Sequence, residues 1–552
     1  MRLVLLLTFI SLAFASISGQ ALTSQQQQAI DKLVMRDIPA GGPGAAVGIV
    51  KNGEIVYEKY AGLADIEGQR PIDANTRFNL ASNAKQFTAL SVLKLISEGK
   101  LSLDDDIRDY LPKLYPNLET PITVGQLINH TSGLRDVYNL WGLQGITWWE
   151  KTLSNQEALG LLEHQKDLNF PPGTEHLYSN SNYMVLTAIV AEVTGQSFKA
   201  YSDELFTALG MAETSFCTNH LNPIPNWARP YFNFDTWTTY EWLSDLHGDG
   251  ALFSTLPDQL RWEQSVQTGT SPVLTEAQIT ASQLPIDVSV TKYGYGLETG
   301  NYRGMPIKYH DGSTGAWKAS ALRFPEERLS IVVLNNSGKF GTNYLAKRIA
   351  DVLLEGQLEG REFPLGTENI GSPVAKKDML GTYLIGGFYF RFVERDGQLF
   401  LEREGRDAVA IELEEGNVYH EIKDPDFKQV FTKDDSGRMQ VTAYYPSHNP
   451  YTLKVIETDF TNYDFSALNG TYHNDEVGLT VHLDYKKDQE FTLSVADQEE
   501  RVKLLKPDFL SYQGDPLEVV KNQQGQVAYL LYSDSRIKNL RLQRVENKSG
   551  KK

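Results

Sequence analysis

The chain has 552 residues, a formal net charge of −18 and a pI near 5.1. That acidity excludes nucleic acid and anionic membrane surfaces as principal partners, because phosphate binding needs clustered Lys and Arg. Cys217 is the only cysteine, so no internal disulfide forms; stability must come from packed cores, and the length suggests about two or three domains.

Met1-Arg2, the apolar run Leu3 to Ile17 and the small-residue exit Ala13-Phe14-Ala15 have the layout of a secretory signal peptide spanning residues 1–21 at most. Cleavage after Ala15 is the simplest reading, with Ala21 as the late limit. The mature protein is then expected to be secreted or periplasmic. No cysteine follows the exit to carry a lipid, and no later apolar run is long enough to span a bilayer, so stable membrane insertion is not expected.

Thr23 to Met35 reads as a glutamine-rich amphipathic helix. Ala45-Val50 and Glu54-Tyr60 read as strands joined by Asn52-Gly53, a strong hairpin signal. Next comes Asn79 to Leu90, where Phe87, Leu90 and Leu93 give a helical apolar stripe and Gly99 a stop. Ser82 and Lys85 are three apart and so share one face of that helix. A serine becomes a nucleophile when a proton acceptor or a cation is fixed beside it, and a helix start favours developing negative charge. Alone, Ser-x-x-Lys is more often an N-cap serine followed by a solvated lysine.

The polar connection Leu101 to Asp106 leads to Asn129-His130-Thr131-Ser132-Gly133-Leu134. His130 reads as structural, its ring fixing the turn that ends in Gly133, since no paired carboxylate marks it as a base. Phe170-Pro171-Pro172-Gly173 is a turn, and Tyr178-Ser179-Asn180 is expected on the loop before a helix from about Tyr183 to Val193. A tyrosine between a serine and a lysine is a credible general base, because an ammonium favours phenolate. Asn180 is suited to donate to a substrate carbonyl while its oxygen orients Lys85.

Seven aromatics between Trp227 and Trp242 read either as loop packing or as a cleft wall. His247-Gly248-Asp249-Gly250 suggests close backbone packing, and nothing completes a metal ligand set; no metal or other cofactor is expected. Four strands follow, around Tyr293-Leu297, Lys308-His310, Ser320-Phe324 and Leu329-Leu334, then a helix from about Asn343 to Leu354. His310-Asp311-Gly312-Ser313 lies at the end of one strand. Gly312 would let a substrate backbone approach, the Ser313 N–H would point at an oxyanion, and His310 would hold a substrate carboxylate or steer protons.

Taken together and in order, Ser82-x-x-Lys85, Tyr178-Ser179-Asn180 and His310-Asp311-Gly312 resemble the serine beta-lactamase and penicillin-binding protein superfamily. Within it they look like the class C beta-lactamase-like group of D-alanyl-D-alanine carboxypeptidases, D-aminopeptidases and esterases. The resemblance covers about residues 25–358. It implies an α+β domain at 22–358, an antiparallel sheet flanked by helices, with Ser82 acylated, Lys85 and Tyr178 activating it, and Asn180, His310, Gly312 and Ser313 on the substrate. It also implies an oxyanion hole from the N–H groups of Ser82 and Ser313. His310 stands where dedicated beta-lactamases carry lysine, which favours a peptidase, amidase or esterase acting on small-molecule or peptide substrates over beta-lactam hydrolysis. A catalytically silent binding or scaffold protein is the remaining alternative.

Residues 359–375 read as a linker. Beyond it, Leu380-Gly381-Thr382-Tyr383 recurs as Asn469-Gly470-Thr471-Tyr472, Pro425-Asp426-Phe427 as Pro507-Asp508-Phe509, and Gly437 as Gly525. This predicts an all-β domain at 376–552 with two repeats of about ninety residues, closing together into one lipocalin-like barrel. Its expected role is a spacer or a module for homo-oligomer formation.

Overall fold

The computed structural model describes residues 21–147, 149–360, 370–403, 406–445, 448–495 and 498–545. The signal-like segment therefore lies almost wholly outside the described residues, as does most of the expected linker. Among the described residues no helix is long and apolar enough to cross a membrane.

Helix α1 (Ser24–Arg36) starts at Thr23, whose side chain and that of Gln26 cap each other's backbone. Strands β1 (Ala45–Lys51) and β2 (Glu54–Ala61) follow. Asn52 and Gly53 between them have φ of 54° and 81°, the left-handed pair that a two-residue hairpin with matching twist requires. Helix α2 (Lys85–Ser97) has ten buried residues. It is thus a central helix packed nearly all round, and the expected single stripe (Phe87, Leu90, Leu93) is only part of its buried surface. Helices α3 (Val137–Leu143), α4 (Asn180–Thr194) and α5 (Leu256–Thr268) surround it or cover the sheet.

The late strands are β3 (Tyr293–Gly294), β4 (Leu297–Tyr302), β5 (Met305–Thr314), β6 (Trp317–Phe324) and β7 (Leu329–Asn335), followed by α6 (Thr342–Leu353). They form one antiparallel sheet in the order β3-β4-β5-β6-β7-β1-β2, so strands from both ends of the domain meet at β7 and β1. One sheet face packs under α1 and α6, where Ile49, Ile331, Val333 and Ile349 are fully buried. The other packs under α5 and α2, where the buried ion pair of Arg323 with Glu263 (2.6 Å) also reaches Gln86 (2.7 Å). This is the expected α+β domain.

The C-terminal region departs from expectation in one respect. Its two repeats close separately, into two antiparallel barrels of eight strands each, Gly381–Ile385 through His448–Ile456 and Gly470–Asn474 through Leu540–Arg544. The first strand pairs with the last in both, Tyr383 with Val455 and Tyr472 with Arg544. The repeat signals around Tyr383 and Tyr472 occupy equivalent first strands, and both rings are fully buried. Pro425 and Pro507 are not equivalent. Pro425 is the second residue of its barrel's sixth strand (Asp424–Lys433), whose counterpart (Asp515–Lys521) carries Pro516, whereas Pro507 lies outside strands, between Gln498–Lys506 and Phe509–Tyr512. Closure removes the exposed sheet edges of each half separately.

The second barrel packs on the helical side of the first domain. Leu140 of α3 is buried in the same apolar cluster as Leu479, Leu530 and Ile537. Around that contact Arg135 pairs with Glu476 at 2.9 Å, Gln144 donates to the Val477 carbonyl at 2.8 Å, and Asn139 donates to Asp534 at 2.9 Å.

Candidate active site

Ser82 lies on a 3₁₀ turn, Ala81–Ala84, that runs directly into α2. In a 3₁₀ turn, residues three apart eclipse each other, which stacks Ser82 over Lys85 more closely than an α-turn would. Ala81 is held at φ 46°, an uncommon conformation for a residue with a Cβ. The turn is wedged from outside by β5: a Cβ added to Gly312 would lie 2.3 Å from the Leu80 carbonyl and 3.0 Å from the Ser82 nitrogen. Gly312 therefore admits the turn that carries Ser82, where substrate backbone was expected. Strand β4 pairs with β5 only as far as Tyr309, and residues 310–314 pair on the β6 side alone. The open edge carrying Ser313 borders the cavity that holds Ser82.

Lys85 is fully buried. Its Nζ donates to Ser82 Oγ (3.1 Å), Asn180 Oδ1 (2.9 Å) and the Asp249 carbonyl (2.6 Å), and lies 4.8 Å from the Tyr178 ring centre. Burial pushes its pKa down to about 7; Asp249 and Asp136 oppose that shift and Arg536 adds to it. The three donated bonds are those of the ammonium, and burial brings the loss of its proton, which would leave a free amine beside the serine, toward neutral pH.

Tyr178 precedes the helix cap Ser179, and Asn180 is the first residue of α4 itself, so only Tyr178 stays on the expected loop. The Tyr178 hydroxyl is buried without a hydrogen-bond partner among the described residues. Burial pushes its pKa well up, against the opposing influence of Ser82 and Arg536. At rest it is a neutral phenol, which differs from the expected phenolate base: desolvation outweighs the nearby cations. Asn180 gives its oxygen to Lys85, while its Nδ2 and backbone N–H both donate to Asp136 Oδ2, at 2.9 and 2.7 Å.

His130 is buried and packs its ring 4.2 Å from that of Tyr178. Its Nδ1 accepts from the Ser179 N–H (3.2 Å) and Asn182 (2.9 Å). It thus braces the Tyr178-Ser179 turn as well as its own. His310, expected on the substrate, lies inside β5 and faces inward. Its Nδ1 donates to the Asp311 carbonyl (2.8 Å) and its Nε2 accepts from Tyr293 OH (3.0 Å). Burial lowers its pKa to about 3, so it is a neutral ring behind Tyr178 with no charge for a carboxylate.

Three residues of the site had no distinctive sequence signal. Asp136 is fully buried; besides Asn180 it accepts from the Tyr138 N–H at 2.9 Å as the N-cap of α3. Asp249 sits in the expected close-packed glycine turn, where a Cβ on Gly248 would lie 2.1 Å from Thr187. Its Oδ2 accepts from Tyr138 OH (3.2 Å), whereas its Oδ1 is buried with no partner among the described residues. Arg536 comes from the second barrel, donates to Asp136 Oδ2 at 3.1 Å and lies 5.0 Å from the Tyr178 ring centre. Ser82, Asn180, Asp249, Ser313 and Arg536 border one cavity of about 280 Å³. Of the aromatic stretch, Trp242 lines this cavity, Trp227 and Tyr240 pack on Trp317, and Phe234 is 71% exposed.

The family model described as Beta-lactamase matches residues 32–354, more than half of the chain. Curated relatives include a D-aminopeptidase of Cereibacter sphaeroides, 28% identical over 340 residues, covering 60% of this chain and 62% of the relative. A D-aminopeptidase of Gluconobacter oxydans is 29% identical over 307 residues, covering 53% and 56%. The alignments thus span about three-fifths of those relatives' length. Among solved structures, the octameric penicillin-binding protein homologue from Pyrococcus abyssi aligns with a TM-score of 0.56 at 22% identity, over 86% of this chain and 99% of that one. A D-amino acid amidase from Ochrobactrum anthropi SV3 aligns with a TM-score of 0.51 at 23% identity, over 60% and 99%. These likenesses are of fold.

Proposed function

The chain belongs to the Beta-lactamase family, and from that premise we propose that it is a serine hydrolase acting on the amide bond after an N-terminal D-amino acid, through an acyl-enzyme on Ser82. The observation that carries this reading is Lys85, a desolvated amine 3.1 Å from Ser82 Oγ with a pKa near 7. As the free amine it takes the serine proton while Oγ attacks the carbonyl carbon. The carbonyl oxygen becomes an oxyanion held by the N–H groups of Ser82 and Ser313. As the C–N bond breaks, the Tyr178 phenol protonates the leaving amine and is reprotonated from Lys85. Water then attacks the acyl-enzyme, with Lys85 again taking the proton, and Ser82 is restored.

Asp249 supports the substrate class: the residue lines the cavity, its Oδ1 has no partner among the described residues, and burial pushes its pKa up, so an α-ammonium group reaching it would supply the missing partner and favour its charged form. The D-aminopeptidases among the relatives agree with that choice. We place the activity outside the cytoplasm on the strength of the signal-like segment at residues 1–21.

The test is a matched set of D- and L-alanyl anilides and their N-acetyl forms, assayed with wild type, Ser82→Ala and Asp249→Asn. Turnover of the free-amine D-substrate is expected, lost in Ser82→Ala and weakened mainly in KM by Asp249→Asn. Equal turnover of the acetylated compounds would refute the amine-binding role, and hydrolysis by Ser82→Ala would refute the acyl-enzyme.

A further inference from the structure

We infer that the second barrel is part of the active site, and that Arg536 selects substrates by binding a carboxylate on the portion released after acylation. The inference deepens the reading above: the favoured substrates become short D-aminoacyl peptides with a free C-terminus, gripped at both ends.

Arg536 is held out by a loop, residues 533–539, that is fixed on both sides. Within the loop, Asp534 Oδ1 accepts from the N–H groups of Arg536 (2.7 Å) and Ile537 (2.6 Å). Across the domain boundary, Asp534 Oδ2 accepts from Asn139, the Arg536 carbonyl accepts from Asn169 (3.0 Å), and the Lys538 N–H donates to Asn169 (2.8 Å). The side chain is thus delivered to the cavity by a preorganised segment.

Its pairing with Asp136 leaves the guanidinium under-used. The Asp136 carboxylate already accepts from three N–H groups, those of Tyr138 and Asn180, before Arg536 is counted. A guanidinium has five N–H donors in a planar fork. Only Nη1 has a hydrogen-bond partner among the described residues, and the side chain is 34% exposed at the wall of the cavity that also holds Ser82. A rigid fork with open donors beside a nucleophile is suited to a planar, bidentate anion, and the carboxylate of a small peptide is the anion that fits this cavity. Asp249 places a carboxyl group on the same cavity, which Lys85 favours in its charged form against burial. The two groups together complement a zwitterion, and the neutral His310 cannot serve as the cation.

The experiment uses the full chain and two probes, D-alanyl-D-alanine and its C-terminal amide, with wild type, Arg536→Gln and Arg536→Lys. Wild type should prefer the acid. In Arg536→Gln the acid-to-amide ratio of kcat/KM should fall at least about tenfold, through KM, as expected for loss of a charge-assisted contact. Arg536→Lys should recover part of it. A wild type indifferent to the carboxylate, or an equal loss on both probes in Arg536→Gln, would overturn the inference and leave Arg536 as a docking residue. A second readout separates this from the proposed function: protection of Ser82 against a fluorophosphonate. Protection by the acid over the amide, lost in Arg536→Gln, supports the carboxylate site even if neither peptide is cleaved, whereas equal protection by both refutes it.

Discussion

The protonation of Lys85 is the most exacting consequence of this site. Its ammonium is pushed from 10.5 to about 7 by burial. Acylation needs the free amine, so the rate should rise with pH through about 7 and then level; two units below, it should be about a hundredfold slower. Two substitutions should move that limb in opposite directions. Asp136→Asn removes a carboxylate that favours charged Lys85, so the limb moves to lower pH. Arg536→Gln removes a cation that disfavours it, so the limb moves up. Each displacement should be on the order of one pH unit. The rate of fluorophosphonate adduct formation on Ser82 between pH 5 and 10 reads this without knowledge of the substrate. A limb near 10 in wild type, or shifts of the same sign in both variants, would refute the reasoning. The stability linkage has its own sign. Between pH 7 and 10.5 the unfolded lysine keeps a proton that the folded one has lost, so Lys85's contribution to stability rises with pH across that window. The full span corresponds to a penalty on the order of 5 kcal/mol below pH 7. Urea unfolding of wild type against Lys85→Met at pH 6 and pH 9.5 should show a larger rise in the wild type, the buried histidines contributing equally to both.

Other outcomes follow from the same geometry. Ser82→Ala should abolish the probe adduct and leave the thermal midpoint near that of wild type, as intact mass and calorimetry will show. Gly312→Ala forces a Cβ against the Leu80 carbonyl, so either β5 or the nucleophile's turn must shift. A loss of about 1–3 kcal/mol in unfolding free energy, with a slower adduct, is expected. Glu476→Gln breaks the pair with Arg135, whose side chain is only 2% exposed, and should destabilise the domain contact by about 3–5 kcal/mol, measurable as an earlier first transition in urea. Benzylpenicillin should acylate Ser82 and be released slowly, as expected of a peptidase whose deacylation is not adapted to that acyl group; rapid turnover would favour beta-lactam hydrolysis instead.

The grouping of Ser82, Lys85, Tyr178 and Asn180 was legible because these residues are local in sequence. Ser82 and Lys85 share a turn, Tyr178 and Asn180 share another, and short spacing carries the geometry. The antiparallel sheet was equally readable, since Asn52-Gly53 and the alternating late strands carry their own signals. What escaped notice depends on distant partners. Asp136 looks like any N-cap aspartate until Asn180 and Arg536 are brought to it, and Arg536 looks like a solvated turn residue. The neutrality of Tyr178 and His310 was hidden because it follows from burial, which sequence spacing does not report. Alternation in the last domain gave strands but not closure, so one barrel was expected where two form; the tripeptide at Pro507 matched by composition while belonging to a different hairpin.

The bond between Asp136 and Arg536 joins residues 400 positions apart. During synthesis, Ser82, Lys85 and Tyr178 leave the ribosome long before that arginine does. At that stage the cleft still lacks the wall that Arg536 supplies, and two barrels of largely non-local pairing must close before it arrives. On the carboxylate-binding role inferred for Arg536, the side chain that discriminates between substrates is therefore the last part of the site to be synthesised. A chain cut between the first domain and residue 536 would keep Ser82, Lys85 and Tyr178 and lose that side chain, so on the same inference an intact tail is the licence to choose.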